Sequence, residues 1–158
     1  MLSHVVIKTA INDLLSSATG LKIYGKEVTE GYTTPSLFTE IVSKPFKRET
    51  RDFAKSGFTI KITYFQPAPD ELDQMRLLDK VRDAFGMSVK IADRVLTVGE
   101  ITHDYVGQKS DILQISIDFD FYENTTPEET AEIANEYGLE IKKTRRHKGN
   151  EYIKSTGN

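Results

Sequence analysis

Within residues 112–122 apolar and polar side chains alternate from Leu113 to Phe121. Leu113, Ile115, Ile117, Phe119 and Phe121 fall on one side, and Gln114, Ser116, Asp118 and Asp120 on the other. A period of two marks a strand with one buried face, so the fold must contain a sheet and something to cover that face. Two helices are available for this. Ser3 is placed to cap the first, over 5–18, where Val6, Ile7, Ala10, Ile11, Leu14, Leu15 and Ala18 recur at helical spacing before Gly20. Asp70 follows Pro67 and Pro69 and can cap the second, over 71–85, with Leu72, Met75, Leu78, Val81 and Phe85 as its stripe before Gly86.

Further strands are predicted at 36–43, where Phe38 and Val42 alternate with Leu37, Thr39 and Ile41, and at 58–64, where Phe58, Ile60, Ile62 and Tyr64 share a face. Short apolar runs at 89–91, 95–98 and 101–106, joined by turn-forming residues, read as hairpins. The expectation is an α+β domain over 1–123: a mainly antiparallel mixed sheet with two helices packed on one face. Leu14, Leu78, Ile60, Ile117 and Phe119 are the predicted core.

Two segments do not fit that core. Residues 44–57 read as an exposed, mobile loop carrying Lys44, Lys47, Arg48, Arg51 and Lys55, with Phe46, Phe53 and Ala54 as almost its only apolar residues. Residues 124–158 read as a C-terminal helical and extended arm. Thr126, Pro127 and Glu129 form a helix start that leads to Tyr137 and Gly138, and Lys142, Lys143, Arg145, Arg146, Lys148 and Tyr152 follow. A solvated hairpin loop and a docking loop are both open for the first segment, and a disordered tail and a partner-binding arm for the second.

At 158 residues the chain is one domain by length, able to bury about 70% of the surface exposed when unfolded. Its net charge of −3 lacks the global basic bias of a nucleic-acid binder. It has no cysteine, which excludes disulfides and thiolate metal sites. The N-terminal pattern, with Lys8, Asn12 and Asp13 inside it, fits neither a signal peptide nor a membrane span and implies a chain made and kept in the cytosol.

Enzyme chemistry finds little support in the residues. His4, His103 and His147 lie in separate segments and begin no metal-ligand or catalytic spacing. The glycines are scattered turn and cap residues, not a phosphate cradle. Asp118 and Asp120, two apart on one strand face, could form a carboxylate pair, but no third ligand accompanies them, and a solvated or subunit-facing polar face is the simpler reading. No catalytic residue, cofactor or metal is assigned.

The order of these segments resembles the phage tail terminator family of long-tailed bacteriophages and related defective prophages. The residues that carry the resemblance are 23–27 (Ile-Tyr-Gly-Lys-Glu), 31–38 (Gly-Tyr-Thr-Thr-Pro-Ser-Leu-Phe), the basic loop, 58–65 and the closing 117–121. The resemblance implies a non-enzymatic virion protein at the neck end of the tail, assembled in the host cytoplasm as a hexameric ring. That ring would cap the tail tube, end its polymerisation and meet the head-side connector or neck protein, and the tail sheath protein if the tail is contractile. On this reading Lys44, Phe46, Lys47, Arg48, Arg51, Phe53 and Lys55 dock the tube, Asp118 and Asp120 belong to a subunit interface, and Lys142, Lys143, Arg145, Arg146, Lys148 and Tyr152 bind a partner. The competing reading is a nucleic-acid-associated assembly module whose two basic segments neutralise phosphates.

Overall fold

The computed structural model describes residues 1–126 of the chain. The expectations placed on 127–158, including the helix towards Gly138 and the basic segment from Lys142 to Tyr152, lie outside the described residues. Helix α1 (His4–Thr19) begins where Ser3 accepts a hydrogen bond from the Val5 N–H, and it ends at Gly20, whose φ of 67° is the left-handed conformation that glycine adopts without strain. Helix α2 (Glu71–Phe85) begins at Asp70, whose carboxylate accepts from the Leu72 and Asp73 N–H groups.

The strands are β1 (Lys22–Gly25), β2 (Ser36–Ser43), β3 (Lys47–Arg48), β4 (Phe53–Phe65), β5 (Ser88–Ile91), β6 (Arg94–Val106) and β7 (Ile112–Asn124). They form one mixed sheet in the order β1-β2-β4-β7-β6-β5, with β3 paired to the start of β4. Only β1 against β2 is parallel among these pairs. Among the described residues the fold is therefore α+β, with two helices and a seven-stranded mixed sheet.

The core joins Ile7, Ile11 and Leu15 of α1 and Leu77, Leu78, Val81 and Phe85 of α2 to alternate residues of the central strands, Phe58, Ile60, Ile62, Leu113, Ile115, Ile117 and Phe119. Phe58 stacks on Phe119 with ring centroids 4.9 Å apart. Of the predicted core, Leu78, Ile60, Ile117 and Phe119 are buried, while Leu14 packs only partly buried at the margin. Polar ties hold α1 down: buried Thr39 donates to Asn12 Oδ1 at 2.8 Å, and Ser43 and His4 share a hydrogen bond of 2.7 Å.

Three expectations change. The loop is shorter than predicted, because 53–57 is the first part of β4, pairing with both β3 and β7. The runs at 95–98 and 101–106 are one strand, β6, which carries a bulge between Val98 and Ile101. That extra residue breaks the alternation and so imitates a strand end. The third change is the face of α2: Gln74 and Leu77 point inward, while Leu72 and Met75 are 65% and 48% exposed. Gln74 can be buried because its Nε2 donates to Gln66 Oε1 and to the Asp111 carbonyl, both at 2.9 Å. A hydrophobicity stripe has no means of anticipating a polar residue satisfied from a distant strand end.

Glu123, near the end of β7, is buried. It accepts the Leu2 N–H at 3.1 Å and pairs with Arg94 at 2.8 Å, so it ties the N-terminus and the β5–β6 hairpin to the last strand. We expect Leu77→Ala and Phe119→Ala each to lower stability by about 2–5 kcal/mol. Met75→Ala should stay within about 0.5 kcal/mol of the parent. Urea unfolding of the three variants checks the inward face of α2: equal losses at 75 and 77 would contradict it.

Candidate functional site

The face of the sheet turned away from the helices presents polar rows. The ladders place Glu40, Lys61 and Ser116 in one row, Val42, Thr59 and Asp118 in the next, and Gly57 and Asp120 beyond them. The structure brings several of the predicted site residues together here. Lys44 Nζ lies 3.0 Å from Asp120 Oδ1 and 3.7 Å from Asp118 Oδ1, Lys55 Nζ lies 3.9 Å from Asp120, and Thr59 donates to Asp118.

Gly57 makes this crossing possible. The Lys44 N–H donates to the Gly57 carbonyl at 2.9 Å, and the lysine stem then runs over the glycine towards Asp120. A Cβ on residue 57 would sit 2.4 Å from the Phe119 carbonyl oxygen and 3.0 Å from Lys44 Cδ. A side chain at this point would force the backbone or the lysine to move.

The two acids thus find basic partners within their own chain, and two of the five cations in the 44–55 segment are committed to them. Lys47 and Arg48 are exposed on β3. Phe46 and Phe53 are 49% and 50% exposed, unusual for large apolar side chains. Tyr122, 56% exposed, was missed by sequence reasoning although a signal existed: it shares the polar face with Asp118 and Asp120. It opposes Lys55, one step along the ladder from Phe53 opposite Asn124, so an aromatic pair and a lysine occupy one end of this face.

A second feature missed by sequence reasoning lies at the opposite end. Tyr24, Tyr32, Phe38 and Phe65 form a cluster in which Phe38 is 5.3, 5.0 and 4.9 Å from the other three ring centroids. Beside it is a cavity of about 370 Å³ lined by Tyr32, Phe38 and Phe65, with Lys26, Glu40 and Lys61 among its polar residues. The Thr33 N–H donates to the Tyr24 hydroxyl at 3.2 Å and holds the 26–35 connection against the sheet.

The remaining polar network anchors α2. Tyr64 donates to Asp73 Oδ2, and Gln66 Nε2 donates to the same oxygen at 2.7 Å. Burial and the adjacent Asp73 push the Tyr64 phenol up to about 12, while the hydrogen bond from Tyr64 holds the Asp73 carboxyl below its ordinary value. Both shifts lead away from neutrality, opposite to the tuning of a general acid or base. A groove of about 500 Å³ adjoins this network, lined in part by Tyr64, Asp73, Arg76 and Lys80. Among the described residues no group of three or more His, Asp or Glu is arranged to hold a metal ion.

A family model described as phage tail terminator protein matches residues 6–131. No curated protein matches the chain. Among solved structures, one chain is 10% identical, aligned over 80% of this chain and 99% of its own, with a TM-score of 0.48. Another, described as the virion of a native gene transfer agent particle, is 16% identical over 77% of this chain and 99% of its own, with a TM-score of 0.47. Both likenesses are weak, and family membership rests on the match at 6–131.

Two outcomes are expected here. Gly57→Ala should lower stability by about 1–3 kcal/mol because the added carbon meets backbone. Lys44→Met, which keeps the stem and loses a part-exposed ion pair, should cost no more than about 1 kcal/mol. Chemical denaturation of both variants distinguishes packing from charge. The second outcome concerns pH. Asp73 is depressed, so its stabilisation is present above the ordinary carboxyl value of 3.8 and is lost as pH falls through its lowered folded value. Tyr64 is raised, so its share is present below 10.0 and is lost as pH rises towards about 12. Tyr64→Phe should therefore flatten both limbs of the unfolding midpoint plotted against pH, and unchanged limbs would exclude this pair as their source.

Proposed function

Because the chain belongs to the phage tail terminator family, structural proteins of the virion tail, we propose that it caps the tail tube as a ring, ends tube polymerisation and forms the surface met by the head-side connector or neck protein. The observation that carries this reading is the β3–β4 hairpin. It leaves Phe46, Phe53, Lys47 and Arg48 exposed at one end of the sheet, while the nearby Lys44 and Lys55 are engaged by Asp120. Exposed aromatic residues ringed by charge suit a docking contact: the rings supply buried area and the charges set register.

In this reading the 44–55 segment meets the tube protein through Phe46, Phe53, Lys47, Arg48 and Arg51. About six copies form the ring, in the closed symmetry that repeated subunits favour. Subunits meet through strand edges and through the polar sheet face that carries Asp118 and Asp120, whose charge is part-balanced by Lys44. The domain of 1–123 builds the ring, and the arm of 124–158 reaches a neighbouring subunit, a neck protein or a tail sheath protein through Lys142, Lys143, Arg145, Arg146, Lys148 and Tyr152. The phosphate-binding alternative draws on the same loop, where Lys44 and Lys55 already face carboxylates.

Lys47→Ser combined with Arg48→Ser should leave the unfolding midpoint unchanged and weaken capping, giving overlong or headless tails by electron microscopy. Tails of normal length would overturn the docking role of the hairpin. Native mass of the parent protein should show a ring, alone or with purified tail tubes, and a monomer under both conditions would overturn the ring.

A further inference from the structure

The sheet ends on two short strands that cover different heights of its margins. On one side β5 pairs only with Arg94 to Thr97 of β6, so the outer edge of β6 over 99–106 meets no strand among the described residues. On the other side β1 pairs with Ser36 to Thr39 of β2 and has no strand outside it among the described residues. The ladders can be followed from margin to margin. Tyr24 lies in one row with Phe38, Thr63, Gln114 and Asp104, and Gly25 in the next with Thr39, Ile62, Ile115 and His103. So β1 stands level with the bare part of β6, and β5 stands at the opposite end of that margin.

Direction agrees as well. β1 runs parallel to β2, and three antiparallel steps through β4 and β7 bring the sheet to β6, so β6 runs opposite to β1. A copy related by rotation about an axis along the strands would lay its β1 antiparallel beside the bare edge of β6, clear of β5. Thr102, His103, Asp104 and Tyr105 are all exposed although they lie within a thirteen-residue strand of the sheet. The Tyr105 N–H is taken up by Asp104 Oδ1 at 2.7 Å, a local cover of the kind that edge strands use for their donors.

The charges on the two margins are complementary. Lys22 and Tyr24 on β1, and Thr102 and Asp104 on β6, all lie in rows on the helix-free face. With the rows continued across a subunit boundary, Tyr24 would oppose Asp104 and Lys26 would oppose Thr102. Asp104 then lies diagonal to Lys22, within reach for a cross-strand pair, whereas Lys26, in the turn after β1, already pairs with Glu40 at 3.0 Å.

We propose that the 99–106 edge of β6 in one copy pairs antiparallel with β1 of the next copy and continues the sheet from subunit to subunit. The proposal rests on the ring reading above and names its contact. The two edges are different surfaces, so the contact is head-to-tail, the kind that forms a ring when its rotation closes, whereas pairing of β6 with itself would give a two-fold dimer.

Lys22→Glu alone and Asp104→Lys alone should each shift native mass from ring to monomer at a concentration where the parent assembles, and the two together should restore the ring. The chain has no cysteine, so Lys26→Cys with Thr102→Cys should give, on mild oxidation, a ladder of covalent oligomers up to the ring. A ring unaffected by either charge reversal, or one whose only crosslinks join residue 102 to residue 102, overturns the pairing and leaves the ring reading standing. A ring that yields no ladder also overturns the pairing. A parent that is monomeric both alone and with tail tubes overturns the ring and the pairing together.

Discussion

The pairing of β4 with β7 is the constraint on which the other elements depend. It runs from Phe53 opposite Asn124 to Tyr64 opposite Leu113, and its alternation sorts every side chain in the middle of the sheet to one face or the other. On the helix side it aligns Phe58 with Phe119, Ile60 with Ile117 and Ile62 with Ile115, the apolar floor that α1 and α2 cover. On the far side it aligns Gly57 with Asp120 and Thr59 with Asp118. A slip of one residue would exchange the two sets and turn the apolar floor to solvent.

The two helices meet that floor with different degrees of freedom. α1 presents Ile7, Ile11 and Leu15, and the bonds from Thr39 to Asn12 and between Ser43 and His4 select its position. The rotation of α2 is decided at its N-terminus. There Tyr64, Gln66, Asp73 and Gln74 form one hydrogen-bonded group with the Asp111 carbonyl, and to satisfy it Gln74 takes an inward place. Buried polar groups of this kind are costly when incomplete, so the network orients the helix as firmly as the apolar stripe does.

The same economy governs the helix-free face. Its acids are answered within the chain by Lys44, Lys55 and Thr59, so the face presents a balanced surface whose unbalanced features are gathered at its ends and margins. Phe46, Phe53 and Tyr122 are exposed, and the bare edge of β6 carries Glu100 and Asp104. For a structural protein of the virion tail, contact surfaces at sheet ends and margins suit assembly with copies and neighbours, because each is reached without disturbing the central ladder.

Much of this was legible in the residues. The alternation at 112–122 specifies β7 and its inward face, Ser3 and Asp70 specify where the helices begin, and Gly20 and Gly86 where they end, because capping and side-chain period are local properties of the backbone. The segment order also carried the resemblance to the family that the chain belongs to. What only the tertiary structure decided depends on partners distant in sequence. The β3–β4 hairpin forms because 53–57 finds β7 beside it, Tyr122 joins Phe53 only through the ladder, and Gln74 turns inward because Gln66 and Asp111 converge on it. Asp118 and Asp120 become ion-pair partners because Gly57 lets Lys44 cross the sheet, a contact between residues more than seventy positions apart. Local sequence sets each element's period and ends; which faces meet, and which charges are left to assemble, is fixed by contacts that exist only once the strands are side by side.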